Sequence, residues 1–505
     1  MERYVCIHGH YYQPPRENPW TGAVERQPSA APYHDWNERV TAECYAPNAA
    51  ARILDGDGHV AKTVNLYARI SFNVGPTLLS WMESHAPEVY RAILDADRES
   101  RRRYSGHGSA IAQVYNHMIM PLATWRDKRT QVIWGIRDFA HRVGRAPEGM
   151  WLPETGVDVE TLEVLAEQGI RFTILSPHQA VRVREVGRAA WEDVGPAGID
   201  PTMPYRIPLP SGRAIHAFFY LRPVARDVAF ADLLTDGERF TQALLGAFDG
   251  ARGRPQIAHI ATDGETYGHH KKFGEMALAY ALHAIESRGL ARLTNYGEYL
   301  ARYPATHDAQ IAEFTAWSCA HGVERWRGDC GCRQGSPEWS QAWRDPLRLA
   351  MDWLRDRLVP RYAQEVGRYL ADPWAARDDY IAVVLDPSAR SVERFLRAHA
   401  ARPAARPLED DVRARVLTWL EVQRHTMLMY TSCGWFFDDI AGIEATQVLR
   451  YAGRAIQLAQ ELTGEALEPG FLQILARARS NLPERGNGVR VYETAVRAAM
   501  PRARA

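Results

Sequence analysis

Two carboxylates stand where apolar, strand-like runs of this sequence stop: Glu154 after Gly149-Met150-Trp151-Leu152-Pro153, and Asp263 after Ile257-Ala258-His259-Ile260-Ala261-Thr262. Two carboxylates from different strand ends are what cleavage of a glycosidic bond requires, one as nucleophile or base and one as an acid with a raised pKa. A retaining pair lies about 5 to 5.5 Å apart, whereas an inverting pair needs roughly 6.5 to 9.5 Å to admit water. Asp263 is followed by Gly264-Glu265 and then by His269-His270, a density of ionisable groups that is unusual for a surface turn. The bland alternative for Glu154 is a helix-start carboxylate favoured by the helix dipole.

Four further clusters surround this pair in the sequence. His8-Gly9-His10-Tyr11-Tyr12-Gln13-Pro14-Pro15-Arg16 puts two histidines at i and i+2, which on a strand point the same way and can converge on one hydroxyl or one metal. Gln113-Val114-Tyr115-Asn116-His117 sets amide, phenol and imidazole before the proline turn at Pro121. Trp317-Ser318-Cys319-Ala320-His321-Gly322-Val323-Glu324-Arg325-Trp326 lacks helical amphipathicity and reads as a binding loop, with a salt-bridged connector as the alternative. Tyr430-Thr431-Ser432-Cys433-Gly434-Trp435, with Asp438 and Asp439 following, reads first as a core-packed helix junction and second as a Trp435 platform.

The elements that must position these groups follow from hydrophobic periodicity. Short runs rich in β-branched residues predict strands at 4–8, 70–74, 149–152, 172–175, 215–220 and 257–262, with another before Asn116. Helices are predicted at 35–54, 75–105 with a break at Pro87, 122–143, 159–168, 229–248 and 273–287. That alternation is the signature of an α/β arrangement with a parallel sheet, closed or open, in which chemistry collects at strand C-termini. From about Trp339 strand-like runs nearly vanish, and helical segments are predicted at 346–358, 392–398, 411–431 and 443–462. The expected domains are therefore 1–335 and 336–505, meeting in the Gly-, Cys- and Arg-rich stretch 325–335. A second Pro- and Ala-rich break is expected at 400–407, and a frayed basic tail carrying Arg497, Arg502 and Arg504 at the end.

Lys plus Arg and Asp plus Glu number 61 each, so no net field exists to hold a nucleic acid or an acidic membrane. No run approaches the ~18 apolar residues of a membrane span, and no basic-then-apolar leader opens the chain, which leads to the expectation of a cytoplasmic protein. Six scattered cysteines do not make a disulfide framework. The close pair Cys330-Gly331-Cys332 could bind a soft metal or act as a redox switch, but a second pair at finger spacing is missing, and packed free thiols are the expectation. No cofactor and no metal are expected. The 15 Trp and 22 Tyr suit cores and sugar stacking alike.

Taken in order, the clusters resemble glycoside hydrolase family 57, whose members act on α-glucans as amylases, 4-α-glucanotransferases and branching enzymes. Trp151-Leu152-Pro153-Glu154 resembles the family's nucleophile motif, and Asp263-Gly264-Glu265-Thr266-Tyr267-Gly268 its acid/base motif. The family's His-Gln-Pro motif appears here as His10-Tyr11-Tyr12-Gln13-Pro14, with two tyrosines interposed, so that His8 or His10 takes the place of its histidine. Looser matches to two other motifs come from Tyr115-Asn116-His117 and from Trp317 with His321-Gly322. The resemblance implies an incomplete (β/α)7 barrel followed by a mainly α-helical C-terminal domain. It further implies a retaining enzyme on α-linked glucans, hydrolytic or transferring, with Asp263 as proton donor and Glu154 as nucleophile. His8, His10, Gln13, His117, Trp151, Glu265, His269, Trp317, His321 and Trp435 are the substrate-site candidates: histidines for sugar hydroxyls, Trp151 and Trp317 for stacking, Glu265 in support of Asp263. Two alternatives stand beside this reading. One is a metal-dependent carbohydrate deacetylase or mannosidase using His8 or His10, Asp263 and His269 or His270 as ligands; the other is a non-catalytic glucan-binding protein.

Overall fold

A computed structural model describes residues 2–195, 198–401 and 408–500 of the chain. The chain packs as two compact units, the first made of residues 1–15, 26–114 and 139–317 and the second of 16–25, 115–138 and 318–505. Two upstream segments, 16–25 and 115–138, join the second unit.

Seven parallel strands of the first unit follow one another around the sheet: β1 (Arg3–Tyr11), β2 (Ser71–Val74), β3 (Ala112–Gln113), β4 (Met150–Trp151), β5 (Phe172–Leu175), β6 (Ala214–Phe219) and β7 (Gln256–Asp263); a further short strand, Arg292–Leu293, pairs parallel with Tyr4 and Val5 of β1. All seven coincide with the runs read from the sequence. Strand β1 lies between β7 and β2, with His10 opposite both Asp263 and Asn73. A bridge from Phe72 to Ala110 leads to β3, Gln113 pairs with Trp151 on β4, a bridge from Gly149 reaches Phe172, and Leu175 pairs with Phe219 on β6. Between β6 and β7 the Leu221 amide donates to the His259 carbonyl at 2.8 Å, in place of a strand ladder. The ring is an incomplete (β/α)7 barrel. Strands β1 and β7 are buried along nearly their whole length, as a parallel sheet covered on both faces requires, which is why they read as continuous apolar runs.

Helices at 76–85, 87–103, 159–167 and 274–287 agree with the periodicity, the second opening on Pro87. Two helices differ. The one expected at 35–54 ends at Ala49, and Ala51–Leu54 forms a hairpin with Val60–Val64. The one expected at 229–248 is two helices, Arg222–Phe230 and Gly237–Leu245, because the Asp236 carboxylate caps the second by accepting from the amides of Glu238 and Arg239. The strands Ala180–Glu185, Glu192–Asp193, Tyr205–Pro208 and His307–Ile311, absent from the sequence reading, extend the sheet from β6.

In the second unit, Asp410–Leu428 packs against Ile443–Thr463 and Arg344–Val366 around Trp419, Leu420, Leu354 and Leu449. No named strand follows Ile311 among the described residues. Of the break expected at 400–407, residues 402–407 lie outside the described residues; so do Arg502 and Arg504, while Arg497 ends a π-helical turn at Glu493–Arg497.

Candidate active site

Strand β4 ends at Trp151, and the chain turns sharply through Pro153–Thr155. Glu154 and Thr155 both adopt left-handed backbone, with φ of 57° and 52°. For two successive side-chain-bearing residues, one of them β-branched, this conformation costs free energy and persists only where surrounding contacts hold it. The Thr155 amide donates to the Leu152 carbonyl at 2.9 Å, and Gln179 Nε2 donates to the Thr155 carbonyl at 2.9 Å. Trp317 grips Glu154 twice: its backbone amide donates to the Glu154 carbonyl at 2.9 Å and its indole Nε1 to Glu154 Oε2 at 2.9 Å. Helix capping is left to Asp158, whose Oδ1 accepts from the Thr161 amide at 3.0 Å. The helix-start explanation of Glu154 therefore fails, because another residue does that work.

Asp263 closes β7 beside His10. The residue is exposed at the strand end, while protein packs around its carboxyl. That enclosure, followed by the negative charges of Glu154 and Glu265, pushes its pKa well above the usual carboxylate range. The next residue must be glycine, since a Cβ on Gly264 would lie 2.3 Å from the Tyr11 ring. Glu265 is buried, and its Oε1 accepts from the Tyr12 amide at 2.8 Å and from the Tyr45 hydroxyl at 2.6 Å. Burial lifts its pKa to about 7, against which those two hydrogen bonds pull down. Glu265 thus acts on Asp263 through its charge. Replacing Glu265 by Gln keeps both acceptor contacts and removes that charge. The Asp263 pKa then falls, and the alkaline limb of kcat/KM moves to lower pH; an unmoved limb in a pH–rate profile rules this coupling out.

His8 and His10 do point the same way. Both stack on Trp151, with ring centroids 5.0 and 4.9 Å away. Asn73 joins them: its Oδ1 lies 3.1 Å from His8 Nε2, its Nδ2 is 2.9 Å from His10 Nδ1 and donates to Gln113 Oε1 at 2.8 Å. Ser71 Oγ lies 3.0 Å from His8 Nδ1. Burial lowers the pKa of both rings to about 3, helped at His8 by the His10 charge, so both are neutral at physiological pH.

Several candidates need reassignment. Trp151 is fully buried, so it cannot stack on a sugar; it is the slab behind His8 and His10 and meets the edge of Trp317 at 5.1 Å. Trp317 is half-buried and remains available as a platform. Gln13 sits beside the Glu265 brace, donating to the Tyr12 carbonyl at 3.1 Å. His269 is drawn to Glu43, its Nδ1 2.5 Å from Oε2. Among the described residues, the histidines invoked for a metal-dependent deacetylase or mannosidase do not gather with Asp263 into a ligand set. His117, His321 and Trp435 belong to the second unit. There His117 Nδ1 meets Ser432 Oγ at 2.6 Å, Trp435 is buried and stacks on Tyr430, and His321 lies beside Cys332. The residues that sequence reasoning missed are Ser71, Asn73 and Tyr45; the first two alternate with Phe72 on β2, the signal of two polar groups sharing one strand face.

The Trp317 indole donates to the Glu154 carboxylate, and a hydrogen bond to a charged group contributes roughly 1.5 to 3 kcal/mol. Trp317→Phe is expected to lower kcat by about 10- to 100-fold with an unchanged circular dichroism spectrum. Wild-type kcat in that variant excludes a role for the bond.

The fold and the sequence have relatives. A search of the curated proteins finds no match. Among solved structures, an exo-type maltose-forming amylase from Pyrococcus sp. ST04 superposes with a TM-score of 0.70 at 15% identity, over 99% of this chain and 88% of that one. A GH57 branching enzyme from Thermococcus kodakaraensis gives 0.54 at 16% identity, over 98% and 95%. A 4-α-glucanotransferase from Thermococcus litoralis gives 0.53 at 15% identity, over 92% of this chain and 60% of that one. At these identities the likeness is one of fold. A domain of unknown function, DUF3536, matches residues 339–504, and the model of glycosyl hydrolase family 57 matches residues 38–311. The second match spans more than half of the sequence and contains both Glu154 and Asp263, and the chain belongs to glycosyl hydrolase family 57.

Proposed function

We propose that this protein cleaves or transfers α-linked glucans with retention of anomeric configuration. Asp263 protonates the glycosidic oxygen as the bond breaks, and Glu154 attacks the anomeric carbon to form a glycosyl-enzyme. Asp263, now a carboxylate, then takes a proton from water or a sugar hydroxyl, which displaces Glu154. The observation that carries this reading is the unequal pair. The pKa of Asp263 is raised by desolvation and by neighbouring negative charge, while Glu154 is pinned through main chain and side chain by Trp317. A general acid and a nucleophile need that difference. The α-glucan substrate is supported by family membership and by the amylase, glucanotransferase and branching activities named for proteins of the same fold. Glycogen and maltooligosaccharides are the substrates to try first. None of the six cysteines is in a disulfide, which supports a reducing setting.

Incubation of wild type and Glu154→Gln with amylose, maltooligosaccharides and glycogen tests the proposal. New reducing ends mean hydrolysis, and redistributed chain lengths or new branch points mean transfer. Absence of any change with wild type over this panel removes the α-glucan reading.

A further inference from the structure

The second unit brings together four residues that the sequence holds apart. Cys319 and His321 form one Cys-x-His step, Cys330 and Cys332 one Cys-x-Cys step, and one donor atom from each lies within 4.8 Å of all the others. Cys319 Sγ is 3.8 Å from Cys330 Sγ and 3.8 Å from Cys332 Sγ, and Cys332 Sγ is 3.6 Å from His321 Nδ1. A tetrahedron with Zn–S bonds of about 2.3 Å and a Zn–N bond of about 2.05 Å has edges of roughly 3.8 Å between sulfurs and roughly 3.6 Å between sulfur and nitrogen. The three spacings just given match those edges, and the remaining pairs lie within 4.8 Å.

Backbone amides point at all three sulfurs: those of His321 and Arg325 at Cys319, that of Cys332 at Cys330, and that of Ala320 at Cys332. Two buried guanidinium groups lie alongside. Arg344 donates to the Cys332 carbonyl at 2.9 Å, and Arg325 donates to the Phe436 carbonyl at 2.7 Å and to the Ser318 carbonyl at 3.3 Å. Asp438, 3.8 Å from Arg344, supplies one negative charge against these two positive ones. A divalent ion held by three thiolates and one neutral imidazole carries a net charge of −1, which balances the remainder. Regular structure between Ser318 and Gly335 is confined to the short turn Glu324–Trp326, so few backbone ladders fix this loop.

We infer that Cys319, His321, Cys330 and Cys332 bind one zinc ion as a closed, structural site that pins the loop from Ser318 to Gly335. Soft thiolate ligands in tetrahedral array select zinc, and four protein ligands leave no position for a substrate or water. His321 is then a metal ligand rather than a sugar contact. The sequence concealed the site because Cys319 and His321 stand well upstream of the Cys-Gly-Cys pair, at no common finger spacing.

The full chain, expressed with zinc in the medium and purified without chelator, is expected to carry one zinc per molecule by mass spectrometric metal analysis. The Cys330→Ser/Cys332→Ser double variant should carry none. If that variant does not fold, wild type loaded with cobalt(II) supplies the answer: thiolate-to-cobalt charge-transfer bands in the near ultraviolet and strong visible d–d bands of a tetrahedral site are expected. Wild type that carries far less than stoichiometric zinc and gives no such cobalt bands overturns the inference. So does a disulfide among Cys319, Cys330 and Cys332 found by peptide mapping after alkylation under non-reducing conditions.

Discussion

Glu154→Gln is expected to lower kcat by about 10^4- to 10^6-fold on any glucan that wild type processes, with little change in the melting temperature. The amide keeps an oxygen to accept from the Trp317 indole, so the left-handed turn at Glu154 and Thr155 retains its anchors. What disappears is the nucleophilic oxygen. Losses of this size follow when the group that forms the covalent bond is removed, whereas loss of a positioning contact costs far less. Steady-state kinetics on maltooligosaccharides, with thermal melts alongside, separate these cases. Turnover within about tenfold of wild type would show that Glu154 is not the nucleophile.

Asp263→Asn is the second large effect. Loss of a general acid costs about 10^2- to 10^4-fold on a glycosidic leaving group that needs protonation. An α-glycosyl fluoride departs without a proton, so formation of the glycosyl-enzyme from it should be nearly spared while its breakdown, which needs the Asp263 base, is slowed. The stability change has the opposite sign. The folded chain holds the Asp263 proton to a pH well above that at which an unfolded aspartic acid loses it, so the native state becomes less favoured as pH rises past the ordinary carboxylate range. A neutral amide removes that penalty, and Asp263→Asn should melt at a higher temperature than wild type at neutral pH. In wild type the same pKa is expected to set the alkaline limb of kcat/KM. A variant with equal losses on fluoride and glucan, and no gain in melting temperature, contradicts the role.

Most of the barrel strands were legible because parallel strands buried on both faces are largely apolar, as Tyr4 to Ile7 are, whereas β2 showed itself through Ile70, Phe72 and Val74 despite Ser71 and Asn73. The strand Ala180–Glu185 was not, because it alternates valine with arginine and its outer face is solvated. Ala51–Leu54 looked like the end of an alanine-rich helix, and only its pairing with Val60–Val64 makes it a strand. At the proposed site, Glu154 and Asp263 stand out in the sequence because strand ends followed by turns, with acids in them, have few structural explanations. The burial of Trp151 could not be read, since an indole looks the same in sequence whether it backs a histidine pair or a sugar. That His117, His321 and Trp435 fall in the second unit could not be read either, since residue type carries no information on which packing unit a loop joins.

The central claim is a covalent intermediate on Glu154, and intact-protein mass spectrometry with peptide mapping tests it most directly. Asp263→Asn incubated with α-maltosyl fluoride should gain the mass of one maltosyl unit, located on the peptide that carries Glu154. Release of β-maltose without an adduct, or an adduct on any other residue, contradicts the account.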